Sequence, residues 1–482
     1  MSGDITTKVA PTTAPTIRRL GDLSGPRGLP MLGNLLQLRR GQAHQTVEEW
    51  SQRYGPYFKF KLGDRRFLGV GDHEALAAVL RDRPEGFRRS TRLASVMAEI
   101  GMQPGVFISN GEAWRRQRRL VMPAFDPAHV KAYFPALLNV TQRLHRRWRI
   151  AAAAGAWIDL RSDLMRYTVD GVAGLAFGAP VNTLESGGDV IQKHLDHIFP
   201  AILQRALSAF PIWRYYPSAE DQALLGHVAA IQGAIRGFIT LARERMQAHA
   251  ELAEHPSNLL EALLAAAQKE DGAITDDEVA GNVFTMLLAG EDTTANTLAW
   301  LIWLLARNPT ALARCAEEVQ AVAPELESLS MEEIAGLDYL DACISEAMRL
   351  KPVAPTIILE AMRPTTVGDV QIEAGTLVWG IYRHDTLDAR FFPDPQAFEP
   401  QRWLQGGAQG MDSAKRVAMP FGGGPRICPG RYLALLEIKM AMAMLLANFH
   451  LDEVSTPDGG EPRECLSLTM APDKLRMRLR VR

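Results

Sequence analysis

Hydrophobic residues recur at intervals of three and four over most of the chain, and this spacing predicts a mainly helical protein. The pattern is strongest over residues 73–306, which are rich in Ala, Leu, Arg and Glu. A shorter helix is predicted over residues 46–55, and an apolar one over residues 430–449. The longest predicted helix runs from residue 275 to residue 307, because Thr-Asp-Asp-Glu is a capping box and Pro309 follows its end.

Alternating patterns typical of β-strands are few. Residues 58–70 (FKFKLGDRRFLGV) predict a hairpin around a Gly-Asp turn, and residues 370–372 and 376–381 predict a small sheet. Residues 385–425 have little periodicity, which is usual for a functional segment inside a compact protein. The fold class is therefore mainly α with a small β region. We expect a single domain over residues 24–482, after a disordered Thr-, Pro- and Ala-rich N-terminus at residues 1–23.

Composition narrows the class of protein. The 482 residues are 47% hydrophobic and 22% charged, which argues against disorder, and the net charge of −2 implies no affinity for nucleic acid. The four cysteines have no zinc-ligand spacing and are too few for a disulfide scaffold. The apolar run over residues 279–306 is interrupted by Glu291 and Asp292, so no membrane anchor is predicted. We expect a soluble, cytoplasmic protein.

The most informative segment is Phe-Gly-Gly-Gly-Pro-Arg-Ile-Cys-Pro-Gly at residues 421–430. Its glycines let the backbone approach a large flat group. Cys428 precedes a predicted helix, whose free N–H groups favour a thiolate, and a thiolate is an axial ligand for haem iron. Arg426 suits a haem propionate. A Gly/Pro turn holding a buried cysteine is the simpler reading, but the spacing from Phe421 to Gly430 favours haem.

The centre of the longest predicted helix carries polar residues, Ala-Gly-Glu-Asp-Thr-Thr at 289–294. Threonine hydroxyls compete there for carbonyls of the preceding turn. Such groups inside an apolar helix need water or a ligand nearby. An exposed surface patch is a plausible alternative for Glu291, less so for Thr293, which has apolar neighbours.

Residues 421–430 resemble the haem-binding loop of the cytochrome P-450 family, F-x-x-G-x-R-x-C-x-G, at every fixed position. The resemblance is to the soluble, bacterial type of this family. It implies one triangular domain that holds haem b between a distal and a proximal helix, with Cys428 as the axial iron ligand. Phe421, Gly422 and Gly430 then belong to the cofactor site. Trp114 and Arg118 resemble the family's W-x-x-x-R motif, which binds a propionate together with Arg426.

Two further motifs follow from the resemblance. Residues 289–294 are similar to A-G-x-D/E-T-T, which makes Asp292 and Thr293 the acid–alcohol pair that delivers protons during oxygen activation. Glu346 and Arg349 resemble E-x-x-R, and Arg402 is implied to complete a structural charge triad with them. One position departs from many relatives. Residues 356–362 (TIILEAM) contain no arginine for a further propionate contact, and that contact stays unassigned.

The resemblance implies a monooxygenase that hydroxylates or epoxidises an apolar small molecule of the fatty acid, terpenoid, steroid or polyketide class. Electrons from NAD(P)H are expected through a separate ferredoxin or flavodoxin with its reductase, and dioxygen is the oxidant. The resemblance places these residues in the substrate pocket: Leu93, Met97, Met102, Val106, Thr285, Met286, Ala289, Thr356 and Thr469. A haem-thiolate peroxygenase, isomerase or dehydratase, or a non-enzymatic haem sensor, are the alternatives, and Asp292 with Thr293 argues against them.

Overall fold

The computed structural model describes residues 17–39, 41–178, 182–186, 190–208, 210–268, 274–404 and 411–482. Part of the predicted disordered N-terminus, residues 1–16, lies outside these ranges. The prediction of disorder is wrong for residues 17–23. There Arg18–Arg19 forms strand β1, and the Arg18 guanidinium donates two hydrogen bonds of 2.8 and 2.7 Å to Asp369.

Helices dominate the described residues, which confirms the predicted fold class. Their bounds are α1 Ala43–Tyr54, α2 His73–Arg81, α3 Thr91–Glu99, α4 Gly111–Val121, α5 Pro127–Ala153, α6 Leu160–Phe177, α7 Val190–Leu207, α8 Ala219–Ala248, α9 Leu259–Ala267, α10 Asp276–Arg307, α11 Pro309–Val322, α12 Met331–Ala335, α13 Asp338–Leu350, α14 Arg383–Thr386, α15 Met411–Ala418 and α16 Arg431–Asn448.

The strands form small sheets. Besides β1 they are β2 Tyr57–Leu62, β3 Arg65–Val70, β4 Phe87–Arg89, β5 Ile158–Asp159, β6 Thr356–Ala361, β7 Thr365–Val367, β8 Val370–Ile372, β9 Leu377–Ile381, β10 Phe449–Ser455, β11 Glu464–Leu466, β12 Met470–Pro472 and β13 Arg476–Val481. The largest sheet has the order β2-β3-β9-β6-β4. The predicted hairpin is β2 and β3, which pair antiparallel from Tyr57 opposite Val70 to Leu62 opposite Arg65.

Helix α10 runs through the main hydrophobic core and positions most of the site. Its first turn is capped by Thr275, whose hydroxyl accepts the N–H of Glu278 while the Glu278 carboxylate accepts the N–H of Thr275. Three acidic residues in that turn also favour the positive end of the helix dipole. At 1.5 Å per residue the helix is about 48 Å long. Segments from distant parts of the chain can therefore pack along it.

One helix among the described residues, α8, is long and apolar enough to cross a membrane by length and composition. The longest apolar run in the sequence lies elsewhere, at residues 279–306. In the fold α8 packs against α7, α9 and α10, and 22% of its apolar window is buried.

Candidate active site

The glycine-rich loop before α16 is closed by its own backbone and by α2. The N–H of Cys428 donates a 3.0 Å hydrogen bond to the carbonyl of Phe421. Gly422 and Gly424 have φ angles of 72° and 66°, which favour glycine. A Cβ atom at Gly424 would lie 2.3 Å from the carbonyl oxygen of Leu80, so the loop also needs glycine there for its close approach to α2.

The thiol of Cys428 is half-buried at the end of this loop. Burial raises its pKa, and this effect outweighs the N–H of Gly430 and the charges of Arg118 and Arg431, which lower it. The predicted stabilisation of a thiolate by the helix N-terminus is present in the N–H of Gly430, but burial opposes it. Coordination by a metal ion deprotonates a thiol outright, so ionisation of Cys428 depends on iron.

The three predicted propionate-binding residues meet beside the loop. Arg118, on α4, donates a 2.6 Å hydrogen bond from Nη2 to the carbonyl of Ile427. The guanidinium carbon of Arg426 lies 4.8 Å from the centre of the Trp114 ring. Arg426 also donates to the carbonyls of Val106 and Ser109. Two charged groups and an indole N–H thus lie within one small region.

Sequence reasoning missed a further cation at this place, Arg89. Strand β4 pairs with β6, so Arg88 and Arg89 point to opposite faces. Arg88 pairs with Glu360 at 2.6 Å, whereas the Arg89 guanidinium lies 4.1 Å from the centre of the Phe107 ring, and burial lowers its pKa to about 10. The two arginines are adjacent in the sequence, and only the pairing of β4 with β6 shows that their side chains lie on different faces.

These residues fit a haem group. Among the described residues no carboxylate lies within ion-pair distance of Arg89, Arg118 or Arg426, although all three guanidiniums are at least partly buried. Partly buried cations of this kind need anionic partners, and haem carries two carboxylates. The described residues also contain no group of three or more metal-ligating side chains, so a single thiolate ligand is the arrangement that the chain offers to iron.

The distal helix α10 is buried along nearly its whole length except at its centre. Ala289 is exposed there, and Gly290 and Thr293 are half-buried. Positions 289 and 293 are four residues apart and therefore share one face. The Thr293 hydroxyl donates a 2.6 Å hydrogen bond to the carbonyl of Ala289, as expected for a threonine inside a helix. This face of α10 is the one that can meet a ligand.

Asp292 is buried on a neighbouring face of α10. Its Oδ1 accepts from Arg161 at 3.3 Å and from Asn296 at 3.4 Å, and its Oδ2 accepts from the Thr469 hydroxyl at 3.0 Å. Thr469 was predicted to line the substrate pocket, but it is buried and its hydroxyl is directed at this carboxylate. The alternative reading of Glu291 as a surface residue is wrong, because Glu291 is only 2% exposed.

The buried amide of Asn282 links α10 to two other parts of the site. Its Oδ1 accepts the N–H of Val106 at 3.0 Å, and its Nδ2 donates to Gln117 of α4 at 3.2 Å. Because α4 carries Trp114 and Arg118, this one side chain ties the distal helix, the loop around Val106 and the cation cluster together. Nothing in the local sequence marked Asn282 as special.

The remaining predicted pocket residues differ in exposure, and Thr285, Met286 and Ala289 belong to α10 itself. Leu93 and Thr356 are half-buried and Ala289 is exposed. The buried ones are Met97, Met102, Val106, Thr285 and Met286. Gly105 approaches α10 so closely that a Cβ atom would lie 2.2 Å from the Thr285 hydroxyl oxygen. Most of these predicted pocket residues are apolar.

The predicted charge triad comes together in the interior. Arg349 donates two hydrogen bonds to Glu346, at 2.8 and 2.7 Å, and Arg402 donates one at 3.0 Å. Sequence reasoning missed a further donor, Trp403, whose indole N–H lies 2.8 Å from Glu346. The Arg349 guanidinium also donates to the carbonyls of Thr386, Pro395 and Ala397, so the cluster joins α13 to the end of α14 and to the irregular segment after it.

Comparison with known proteins agrees with this geometry. The sequence profile of the family described as Cytochrome P450 matches residues 23–478. Cytochrome P450 3A30 of Fundulus heteroclitus is 28% identical in an alignment of 451 positions that covers 90% of this chain and 87% of that protein. The thromboxane-A synthase of Rattus norvegicus is 27% identical, with the same two coverages.

Solved structures show the same fold. The crystal structure of a mutant cytochrome P450DA heme domain superimposes with a TM-score of 0.80 at 23% identity, covering 95% of this chain and 98% of that one. The heme domain without those mutations also gives a TM-score of 0.80. At this identity the similarity speaks for the fold alone.

Proposed function

The chain belongs to the cytochrome P450 family, and we propose that it hydroxylates or epoxidises an apolar small molecule with electrons from a separate redox protein. Membership makes it a P450 monooxygenase, an oxidoreductase that uses haem. The observation that carries the proposal is the cluster around Cys428, where a single thiol stands beside Trp114, Arg118 and Arg426. When bound there, haem supplies the iron centre that activates dioxygen.

The chain itself would handle protons through α10. Thr293 Oγ1 is on the exposed central face and now donates to the Ala289 carbonyl, so its hydrogen can turn toward a ligand at that face. Asp292 holds its carboxylate one residue away, against the half-exposed Arg161. A proton accepted at Asp292 Oδ1 from the Arg161 side would reach the Thr293 hydroxyl through water.

The substrate class is proposed from the predicted pocket residues. Leu93, Ala289 and Thr356 retain exposure, and the buried members of the set include Met97, Met102 and Met286. Methionine side chains adapt to irregular apolar shapes, which suits a fatty acid, terpenoid, steroid or polyketide. A change in the spin state of the haem spectrum on adding members of each class would identify the class that binds.

A ferredoxin or flavodoxin is the proposed electron donor, because the side of the protein near the cysteine loop carries many basic residues. Those predicted there are Arg115, Arg116, Arg119, Lys415, Arg416 and Arg431. The structure shows that not all are available. Arg115 pairs with Glu85 and Glu112, and Arg116 pairs with Glu278, whereas Arg119 and Lys415 are exposed.

A bacterial type and a soluble, cytoplasmic location stay predictions; the relatives named above come from a fish and a rat.

The experiment that tests the proposal uses Cys428→Ser. The reduced wild-type protein with carbon monoxide should show the strongly red-shifted Soret band of a thiolate-ligated haem, and the variant should lose it. Product formation from an apolar substrate should require NAD(P)H and a redox protein. Retention of the band by the variant would assign the iron to another ligand.

The same assay separates the alternatives. Turnover with peroxide, or of a peroxide substrate, that is equally fast without NAD(P)H would favour a peroxygenase, isomerase or dehydratase. A haem protein that responds to neither would be a sensor. The similarity to a thromboxane-A synthase makes the electron-free assay worth running first.

A further inference from the structure

Arg83 is a buried cation without a partner among the described residues. It lies between α2 and β4 and is 3% exposed. Its Nε and Nη2 atoms have no hydrogen-bond partner among the described residues, and no described carboxylate lies within ion-pair distance of it. A charge removed from water in this way is strongly unfavourable unless an anion compensates it. The position therefore calls for a ligand.

The electrostatic surroundings of Arg83 strengthen this conclusion. Burial, the main cause, together with the like charges of Arg89 and Arg426, lowers the pKa of Arg83 to about 8. The hydroxyl of Tyr382 acts in the opposite sense, but it is neutral at ordinary pH. Three guanidiniums thus repel one another in one place, and an anion between them would relieve the repulsion.

The location of Arg83 identifies the anion. Arg83 lines a cleft of about 320 Å³ together with Trp114, Arg118 and Pro425, and the remaining lining residues are Pro84, Glu85, Arg115 and Arg119. Trp114 and Arg118 are the residues of the W-x-x-x-R motif, which was assigned to a haem propionate. Arg83 therefore opens into the same cleft as a carboxylate site already argued on other grounds.

The strand where many relatives have a further arginine offers none here. The side chain opposite Phe87 on β6 is Ala361. Arg363, which comes next along the chain, is more than half exposed and donates two hydrogen bonds to Asp82, at 3.0 and 2.9 Å. The missing guanidinium must come from another element.

We propose that Arg83 binds a haem propionate and supplies, from the segment between α2 and β4, the contact that β6 lacks. The proposal rests on the proposed haem site and adds a residue to it. Charge-assisted hydrogen bonds from a guanidinium to a carboxylate are among the strongest in proteins. Two carboxylates can satisfy Arg83, Arg89, Arg118 and Arg426 together.

The test compares two haems in two variants. Protein reconstituted with haem, or with haem dimethyl ester, is mixed with an excess of a haem-scavenging protein, and the rate of haem loss is measured. Arg83→Met should lose ordinary haem about tenfold to a hundredfold faster than wild type, the size expected for a charged hydrogen bond. With the dimethyl ester, whose carboxylates are masked, the same substitution should have no effect. Arg88→Met is the matched control, because Arg88 pairs with Glu360.

Each outcome decides. Equal acceleration with both haems would mean that Arg83→Met damages the fold, and no acceleration with ordinary haem would mean that Arg83 does not hold it; both overturn the proposal. A third outcome is that inorganic phosphate protects the wild type but not Arg83→Met, while the rate of haem loss is the same in both. Arg83 would then bind an anion from solution and not a haem propionate. The carbon monoxide band of Arg83→Met should stay that of a thiolate-ligated haem, which separates this proposal from the ligation of Cys428. Arg83→Lys should recover part of the retention.

Discussion

Glu346 accepts hydrogen bonds from three side chains in the interior, those of Arg349, Arg402 and Trp403. The side chains of Glu346 and Arg349 are fully buried, and Arg402 is nearly so. Two cations and one carboxylate in such a place are stabilised only by each other and by the carbonyls around them. The Arg349 guanidinium also bonds to carbonyls of Thr386, Pro395 and Ala397, so we expect the cluster to act on folding.

Replacing Glu346 by Gln should destabilise the holoprotein by about 3–5 kcal/mol, because it leaves two buried guanidiniums without a carboxylate. The free energy of unfolding from urea titration measures the effect. Glu373→Gln, at an exposed position, is the control and should change it by less than about 0.5 kcal/mol. Equal effects of the two substitutions would show that the cluster contributes little.

Glu346 also predicts a pH dependence. Burial opposes its ionisation, but the hydrogen bonds and charge of Arg349, with the N–H groups of Glu399 and Trp403, outweigh burial and lower its pKa. A carboxyl whose pKa is lower in the folded state stabilises the fold above its unfolded pKa. Stability should thus fall as pH drops below about 4.5, and less so in Glu346→Gln. Parallel pH profiles would contradict this.

Thr293 presents the only hydroxyl on the exposed central face of α10 among the residues described there. In Thr293→Ala, haem binding should be unchanged, because the side chain bonds only to the Ala289 carbonyl. The share of electrons recovered in product should fall severalfold, with hydrogen peroxide rising in its place, since a positioned proton donor is lost. Thr297→Ala, whose hydroxyl donates to the Thr293 carbonyl, is the control. Unchanged coupling would place proton delivery elsewhere.

Helix α10 organises the site because separate chain segments attach to it at successive turns. Asn282 bonds to Val106 and Gln117, and Asn296 to Thr469, whose hydroxyl also donates to Asp292. A long helix keeps these attachments at fixed spacing. The geometry of the site thus depends on how α10 packs as well as on the residues that face the ligand.

Asn282→Leu tests this role of α10. The substitution keeps the size of the side chain but leaves the buried N–H of Val106 without its acceptor, and it should destabilise the protein by about 1–3 kcal/mol. Hydrogen exchange at the Val106 amide should accelerate, because that N–H is held by the Asn282 side chain. Thr275→Ala, which removes only the helix cap, should cost about 1 kcal/mol without changing exchange at Val106. Unchanged protection at Val106 would refute the link.

The net charge of the whole molecule is only −2, but six basic residues are predicted near the cysteine loop. Two of them, Arg115 and Arg116, are paired with Glu85, Glu112 and Glu278. Electrostatic attraction between proteins speeds their encounter and is screened over about 10 Å at 0.1 M salt. An acidic electron donor should therefore reduce the haem more slowly as salt rises.

The structure ranks the basic residues of this face. Arg119→Glu should lower the apparent association rate with a ferredoxin more than Arg115→Glu, because Arg115 already pairs with Glu85 and Glu112. Neither substitution should alter the carbon monoxide spectrum. Stopped-flow reduction at several salt concentrations measures the rates. A rate that is independent of salt and of both substitutions would move the docking site to another face.

The linear order of residues was sufficient for much of this protein. Capping residues and apolar spacing placed α10 at residues 276–307 and α16 at residues 431–448, within one or two positions of the predictions. The spacing of the cysteine loop also marked the haem site. These features depend on neighbours along the chain, where hydrogen bonds and helix periodicity act over a few residues.

Only the folded chain revealed the rest. The packing of strands and helices decides that Glu291 and Thr469 are buried. It also decides that Arg83 lines the cleft, whereas Arg363 pairs with Asp82. The sequence does not distinguish an arginine that is exposed to water from one that is buried in the interior. Its role is decided by the desolvation and the partners that it meets, and those come from residues hundreds of positions away in the sequence.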